Sequence, residues 1–403
     1  MKSIKKFILF IVILLATSNG VHAFTDIPEY HRNYIAVKYL QEQGIIQGYQ
    51  DGSFRPERPV SRAEFLKLVL YSANIPLNEI NGNNFSDVED DQWYTPVINK
   101  AFHEGWINGY EDGTFKPHTN INKAEAIKII GEVENWQLNQ LNHHPFNDVN
   151  ISSWFGPYIA YAKKHQFLEE TSESFGPADL MTRAKTSEVL YRILAQEQGI
   201  DIITIPEDQF IIIDTPWTAQ APYGEWSDIR QSEGCEEASA LMAIKWAKGE
   251  NLNLDQAKEI ILDISQFQTT KYGTAHDTSA KDTLDWIIKD YFNYQDAELR
   301  LISSVQEIKM ELYKGNLVIA PMNGKKLPNP YFSPPGPLQH MLLIKGYDDQ
   351  TQEFITNEPG TRFGENFRYS IKTMQEAIYD YESGENSYLP SEQRRNIIII
   401  HPQ

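Results

Sequence analysis

One cysteine stands in the 403 residues, Cys235, in the stretch Gln231-Ser-Glu-Gly-Cys-Glu-Glu-Ala-Ser-Ala-Leu-Met-Ala-Ile-Lys-Trp246. A single thiol excludes an intramolecular disulfide and a thiolate zinc cluster. Gly234 interrupts the chain and good helix formers follow, so Cys235 is expected in the first turn of a helix. There the free amides and the macrodipole favour a thiolate. Glu236 and Glu237 act in the opposite sense, because neighbouring negative charge disfavours ionisation. If both acids point to solvent, the thiol should ionise below its ordinary ~8.5 and react as a nucleophile.

A nucleophilic cysteine needs a base, and two histidines offer one: His276 in Tyr-Gly-Thr-Ala-His-Asp and His340 in Leu-Gln-His-Met-Leu-Leu-Ile-Lys-Gly-Tyr-Asp-Asp. His340 opens an apolar strand ending at Gly346, so a rigid element would hold its ring, whereas His276 is read as structural. Asn357 follows in Phe354-Ile-Thr-Asn-Glu-Pro-Gly360, a second short strand ending in a turn. Cysteine, then histidine at a strand start, then an amide or carboxylate on the next strand is the ordering of papain-like enzymes. In that order Asn357 would orient the ring and fix its tautomer.

These segments, with Pro216-Trp-Thr-Ala-Gln220-Ala-Pro-Tyr-Gly-Glu-Trp226 ahead of them, resemble the C39-like peptidases over residues 212 to 403. The resemblance implies an α+β papain-like domain with Cys235 as nucleophile, His340 as base and Asn357 as the orienting residue. It also implies an oxyanion-hole glutamine upstream of the cysteine. Gln220 fits the Gln-x-Pro…Trp context and is preferred, although Gln231 is nearer in sequence. Many members have glycine after the cysteine, where this chain has Glu236. The last motif is often Asn-Asp-Pro-Gly, here Asn357-Glu358, so the choice of orienting residue stays open.

The first half of the chain is organised differently, by an internal repeat. Three segments begin Phe24-Thr-Asp-Ile27, Phe85-Ser-Asp-Val88 and Phe146-Asn-Asp-Val149, 61 residues apart. Each leads through a helical stretch to a turn. Two turns read Gly48-Tyr-Gln-Asp-Gly-Ser-Phe54 and Gly109-Tyr-Glu-Asp-Gly-Thr-Phe115, and the third, Thr171 to Pro177, lacks the Asp-Gly pair. A second helix then opens at Ser61-Arg-Ala-Glu64, Asn122-Lys-Ala-Glu125 and Thr182-Arg-Ala-Lys185. Ser, Asn and Thr are N-cap residues, and Glu64 and Glu125 stand at the capping-box position, which Lys185 lacks. Phe65, Leu68, Val69, Ala126, Ile129 and Ile130 recur at helical spacing and should face a core.

Repeats of ~60 residues bury their apolar stripes most readily against one another. Residues 24 to about 198 resemble S-layer homology (SLH) domains. The resemblance implies an α-helical pseudo-trimer that anchors the protein to an anionic cell-wall polysaccharide. The basic residue of the helix-start motif would contact the polymer, which falls on Arg62, Lys123 and Arg183. They are expected at exposed helix starts, where anions are favoured.

Composition agrees with an exported protein. Lys2, Lys5 and Lys6 precede an apolar run from Phe7 to Ala16, and Val21-His22-Ala23 offers a cleavage site. The run is too short for the ~20 residues that cross a bilayer. With 55 acidic and 36 basic side chains the net charge is −19, which argues against nucleic acid or anionic lipid as partner. The chain is therefore read as a signal peptide (1–23), SLH repeats (24–83, 84–143, 144–198), a linker (199–211) and a C39-like domain (212–403). The expected function is that of a secreted, wall-anchored cysteine peptidase acting on a peptide or protein substrate. No metal or organic cofactor is called for, and no membrane contact remains after leader cleavage. A non-catalytic binding protein on the same scaffold and a peptidyl or acyl transferase are the alternatives.

Overall fold

A computed structural model of the chain describes residues 24–77, 84–169, 172–200, 202, 204–205, 209–384 and 389–403. The leader assigned to residues 1–23 lies outside the described residues.

Six helices build the repeats in pairs: α1 (Tyr34–Glu42) and α2 (Arg62–Ser72), α3 (Thr95–His103) and α4 (Lys123–Val133), α5 (Gly156–Lys164) and α6 (Arg183–Glu197). The repeat motifs have direct physical reasons. The Asp26 carboxylate accepts the Phe54 and Arg55 amides at 2.6 and 2.7 Å, Asp87 accepts those of Phe115 and Lys116, and Asp148 those of Phe175 and Gly176. Each Phe-x-Asp start thus ties down its own turn, the degenerate third one included. The motif phenylalanines pack alongside, Phe24 on Phe54, Phe85 on Phe115 and Phe146 on Phe175, with ring centroids 5.2 to 5.6 Å apart. A Cβ at Gly48 or Gly109 would meet the motif phenylalanine ring at 2.3 or 2.2 Å, so that close approach requires glycine. The three caps form as expected, but of the two capping boxes only that of Ser61 and Glu64 does; Asn122 and Thr182 cap by side chain alone, and Glu125 instead meets Tyr110 and Arg62.

The three units close on themselves. The Val60 amide donates to the Met181 carbonyl at 2.9 Å, Met181 to Ile121 at 3.0 Å, and Ile121 to Val60 at 3.1 Å. The basic motif residues follow the same rotation. Arg62 Nε donates to the Phe115 carbonyl at 2.9 Å, the Lys123 ammonium to the Phe175 carbonyl, and Arg183 Nε to the Phe54 carbonyl at 2.7 Å. Each also lies over the phenylalanine ring of the next unit. The expectation of exposed side chains is corrected here: Arg62 and Lys123 are buried and Arg183 half-buried. They are spent on joining units, because the turn that each meets has a free carbonyl and an aromatic face for a cation.

The C-terminal half is a sheet of seven antiparallel strands. They are β1 (Phe210–Ile212), β2 (Ala297–Leu301), β3 (Leu317–Met322), β4 (His340–Asp348), β5 (Glu353–Asn357), β6 (Phe367–Ser370) and β7 (Asn396–Ile400). The order is β2-β7-β3-β4-β5-β6, with β1 also paired to β4. β1 therefore draws Phe210 and Ile211, assigned above to the linker, into the sheet. Helices cover both faces, so β3 and the Ile397–Ile400 run of β7 are buried throughout and read as continuous apolar stretches. On one face lie α7 (Ile229–Ser232), α8 (Cys235–Ala247) and α9 (Leu254–Tyr272). α8 is buried on nearly all sides, between the sheet and its neighbouring helices. A helix in that position needs apolar or small residues all round, which Ala238 to Ile244 supply. Its first turn lies beside the start of β4.

Candidate active site

A cleft of about 870 Å³ opens at the N-terminus of α8. Gln220, Glu233, Cys235, Asp277 and His340 line it, and its rim is formed by Trp226, the segment from Tyr331 to Gln339, and Gly360 to Phe363. Cys235 is brought there by the helix start and His340 by the first residue of β4, as the sequence predicts. Gln220 lines the cleft and donates from Nε2 to the Ser232 carbonyl at 2.7 Å, leaving one amide hydrogen. Gln231 is not among the lining residues; its amide donates to Glu225 at 3.3 Å. His276 is bound to Glu233.

The residue that holds the imidazole is a correction. His340 Nε2 lies 2.5 Å from Glu358 Oε1, and Glu358 is itself fixed by the Gly360 amide at 2.9 Å and the Tyr369 hydroxyl at 3.0 Å. Asn357 faces elsewhere. Its Nδ2 donates to Thr215 Oγ1 at 3.1 Å and the Pro216 carbonyl at 3.2 Å, tying β5 to the segment before the cysteine. The physical reason is the period of a strand: adjacent residues point to opposite faces, so Asn357 and Glu358 at the end of β5 cannot both meet His340. Glu358 stands where the family motif often has Asp, which was the signal available in the sequence.

A second correction concerns Glu236 and Glu237, which do not point to solvent but are buried. The Cys235 thiol donates to Glu236 Oε2 at 3.0 Å, and Tyr381 and the Thr278 amide donate to the other oxygen at 2.8 and 3.2 Å. Burial, together with the charges of Glu236 and Asp277, pushes the Cys235 thiol well above its ordinary range. The same burial raises Glu236 and Glu237, and burial, followed by the charges of Glu236 and Glu233, pushes Asp277 up to about 7. Burial opposes the charge on His340, but Glu358, with Glu236 and Asp277 beyond it, outweighs that and raises the imidazole above its usual value. Among the described residues Cys235, Glu236 and Asp277 hold ligand atoms within 4.8 Å of one another, close enough to share a cation.

With this geometry established, similarities to known proteins become informative. The S-layer homology domain model matches residues 23–66, 84–127 and 145–184, and the model of the Peptidase_C39 like family matches residues 212–388. The chain carries three SLH repeats and a C39-like domain. Over 166 residues, 38% of its length, it is 32% identical to cell surface glycoprotein 1 of Acetivibrio thermocellus, covering 7% of that protein. It is 32% identical over 145 residues to the cellulosome-anchoring protein of the same organism, which is 34% of this chain and 32% of that one. With the S-layer protein sap of Bacillus anthracis it shares 29% over 167 residues, 40% of this chain and 19% of that protein. The chain thus spans at most about a third of the length of these relatives. A Bacillus anthracis crystal structure described as a C39-like peptidase is similar at 13% identity and a TM-score of 0.33, covering 49% of this chain and 99% of that one. Carrying SLH repeats, the protein is a secreted, cell-surface protein, with a C39-like domain as its second half.

Proposed function

We propose that the protein is a wall-anchored cysteine peptidase in which Cys235 is the nucleophile, His340 the base and Glu358 the residue that orients it. The observation that carries this reading is the Glu358 hydrogen bond to His340 Nε2, in a cleft that Cys235 and Gln220 also line. With Nε2 engaged, Nδ1 is the ring atom left to exchange protons with the thiol. Cys235 Sγ would attack the scissile carbonyl as its proton passes to His340, which returns it to the leaving amine. Water then hydrolyses the thioester by the same route in reverse roles. The oxyanion would meet the second hydrogen of Gln220 Nε2 and the Cys235 N–H, which has no intrahelical acceptor at the start of α8. The resting thiol is neutral and bound to Glu236, so the thiolate forms only as His340 takes the proton.

For the repeats, we propose binding of an anionic wall polysaccharide in the grooves between units. Lys123 and Lys185 line a small recess with Phe175 at the boundary of the second and third units. Arg62, Lys123 and Arg183 shape these grooves by joining the units; Arg183, half-buried and bonded through Nε and Nη2 to the Phe54 and Gln47 carbonyls, would offer the polymer its remaining Nη1.

Two measurements test the two halves. Purified full-length protein should release peptides from a cell-surface extract, and Cys235→Ala and His340→Ala should each abolish the release. Deleting residues 24–198 should leave the remainder in the supernatant when walls are pelleted. Release unaffected by Cys235→Ala sinks the peptidase, and a deleted protein that still pellets sinks the anchor.

A further inference from the structure

Acceptors crowd the cleft floor and donors are scarce. The Asp277 carboxylate lies within 4.8 Å of the Cys235 sulfur and has no hydrogen-bond or ion-pair partner among the described residues. Gln220 lines the same cleft at 4% exposure, yet its Oε1 has no donor. Glu233 and Asp277 line the floor, and the cationic side chain other than histidine in the lining is Arg362, exposed at the rim. Buried acceptors without donors are costly, so a site keeps them where a ligand brings the donors.

We propose that the cleft takes peptides with a cationic side chain or amine beside the scissile bond, seated on Asp277 next to the Cys235 sulfur. The inference rests on the peptidase reading and names its substrate class. A positive charge there pairs with Asp277, which lines the cleft beside the Cys235 sulfur. In a partly buried cleft such a pair is stronger than in water. It also offsets the negative field around Cys235, so the correct substrate helps to ionise the thiol that attacks it. A neutral residue leaves the desolvated Asp277 relying on the His276 and His340 charges to stay ionised, and an acidic one is repelled, which is how an under-compensated charge discriminates between ligands.

The test uses internally quenched peptide pools that differ only in carrying Arg, Lys, Leu or Glu at one fixed position. Cleavage by the full-length protein is read by mass spectrometry, and binding of labelled pools to the Cys235→Ala protein by fluorescence polarisation. The Arg and Lys pools should exceed the Leu pool in kcat/KM by about tenfold or more, with the Glu pool slowest, when the fixed residue adjoins the cut. Asp277→Asn should bring the Arg-to-Leu ratio near one, Asp277→Lys should favour the Glu pool, and Asp277→Glu should keep the wild-type order. Pools cleaved alike, or a ratio indifferent to Asp277→Asn, overturn the proposal and leave the peptidase standing. Cation-selective binding to Cys235→Ala without cleavage by the wild type retains the site and overturns the peptidase. Neither cleavage nor selective binding overturns both.

Discussion

At Cys235 two opposed effects can be ranked by size. A helix N-terminus favours a thiolate by about 0.3–1 kcal/mol, whereas full burial shifts a group by up to about 3–5 pKa units. Burial and the Glu236 carboxylate therefore prevail, and the alkylation profile of wild-type Cys235 should lie above the ~8.5 of a free thiol. Glu236→Gln removes a negative charge that opposes the thiolate, so its profile should move to lower pH. Iodoacetamide rates against pH decide the matter, and half-maximal reactivity near pH 6 in the wild type would contradict it. Glu358→Gln leaves a hydrogen-bond partner but removes the charge that supports the imidazolium, so kcat should fall at least about a hundredfold. Asn357→Ala should instead lower the thermal midpoint, since it loses the bonds to Thr215 and Pro216, with a smaller effect on kcat. Chemistry-bearing residue types were legible in the sequence at Cys235, His340 and Gln220, because a helix start, a strand start and a motif context each mark one position. The role of Glu358 was marked only by a motif position where the family often has Asp, and the inward turn of Glu236 was not marked at all, because it depends on which face of a helix is buried and two adjacent acids do not show that.

Among the elements, the second helix of each repeat shows what its motif achieves. The cap residue orders the helix start and the basic residue after it reaches into the next unit. Sequence alone exposes the cap, whose partner is three residues away, but hides the cross-unit bond, whose partner is 53 residues away at Phe115. Arg62→Ala should therefore destabilise the repeats by about 1.5–3 kcal/mol, the usual size of a hydrogen bond to a charged group. Urea unfolding of the full chain, followed at its tryptophans, should show an early transition moved to lower denaturant. An unchanged transition would return Arg62 to the status of a surface charge.

On the scale of the whole molecule, the first repeat grips the C-terminal domain. Glu29 Oε2 accepts from Arg395 at 2.6 Å and Gln375 at 2.7 Å, and the Tyr30 carbonyl accepts from Gln306 at 2.5 Å. Tyr30 also packs against the second face of the sheet. Glu29 is partly exposed, so the ion pair alone contributes ~1 kcal/mol or less. Replacing Glu29 and Tyr30 together with alanine should loosen the junction while leaving both halves folded. Faster amide exchange at Ser304 to Gln306, without change at β3, is the expected signature, and unchanged exchange would show that the contact does not couple the halves. This grip was invisible in the sequence, since Glu29 lies in an unremarkable stretch and meets residues more than 270 positions away.

The closed circuit of the repeats has a further consequence for a chain made in one direction. Arg183 completes the loop only by returning to the Phe54 carbonyl, and Met181 only by receiving Val60. A nascent chain that has delivered two units has therefore delivered an open arc with two unmet edges, not two thirds of an anchor. If the grooves between units bind the wall as proposed, the groove between the first and third units forms only when the last helix of the third unit arrives.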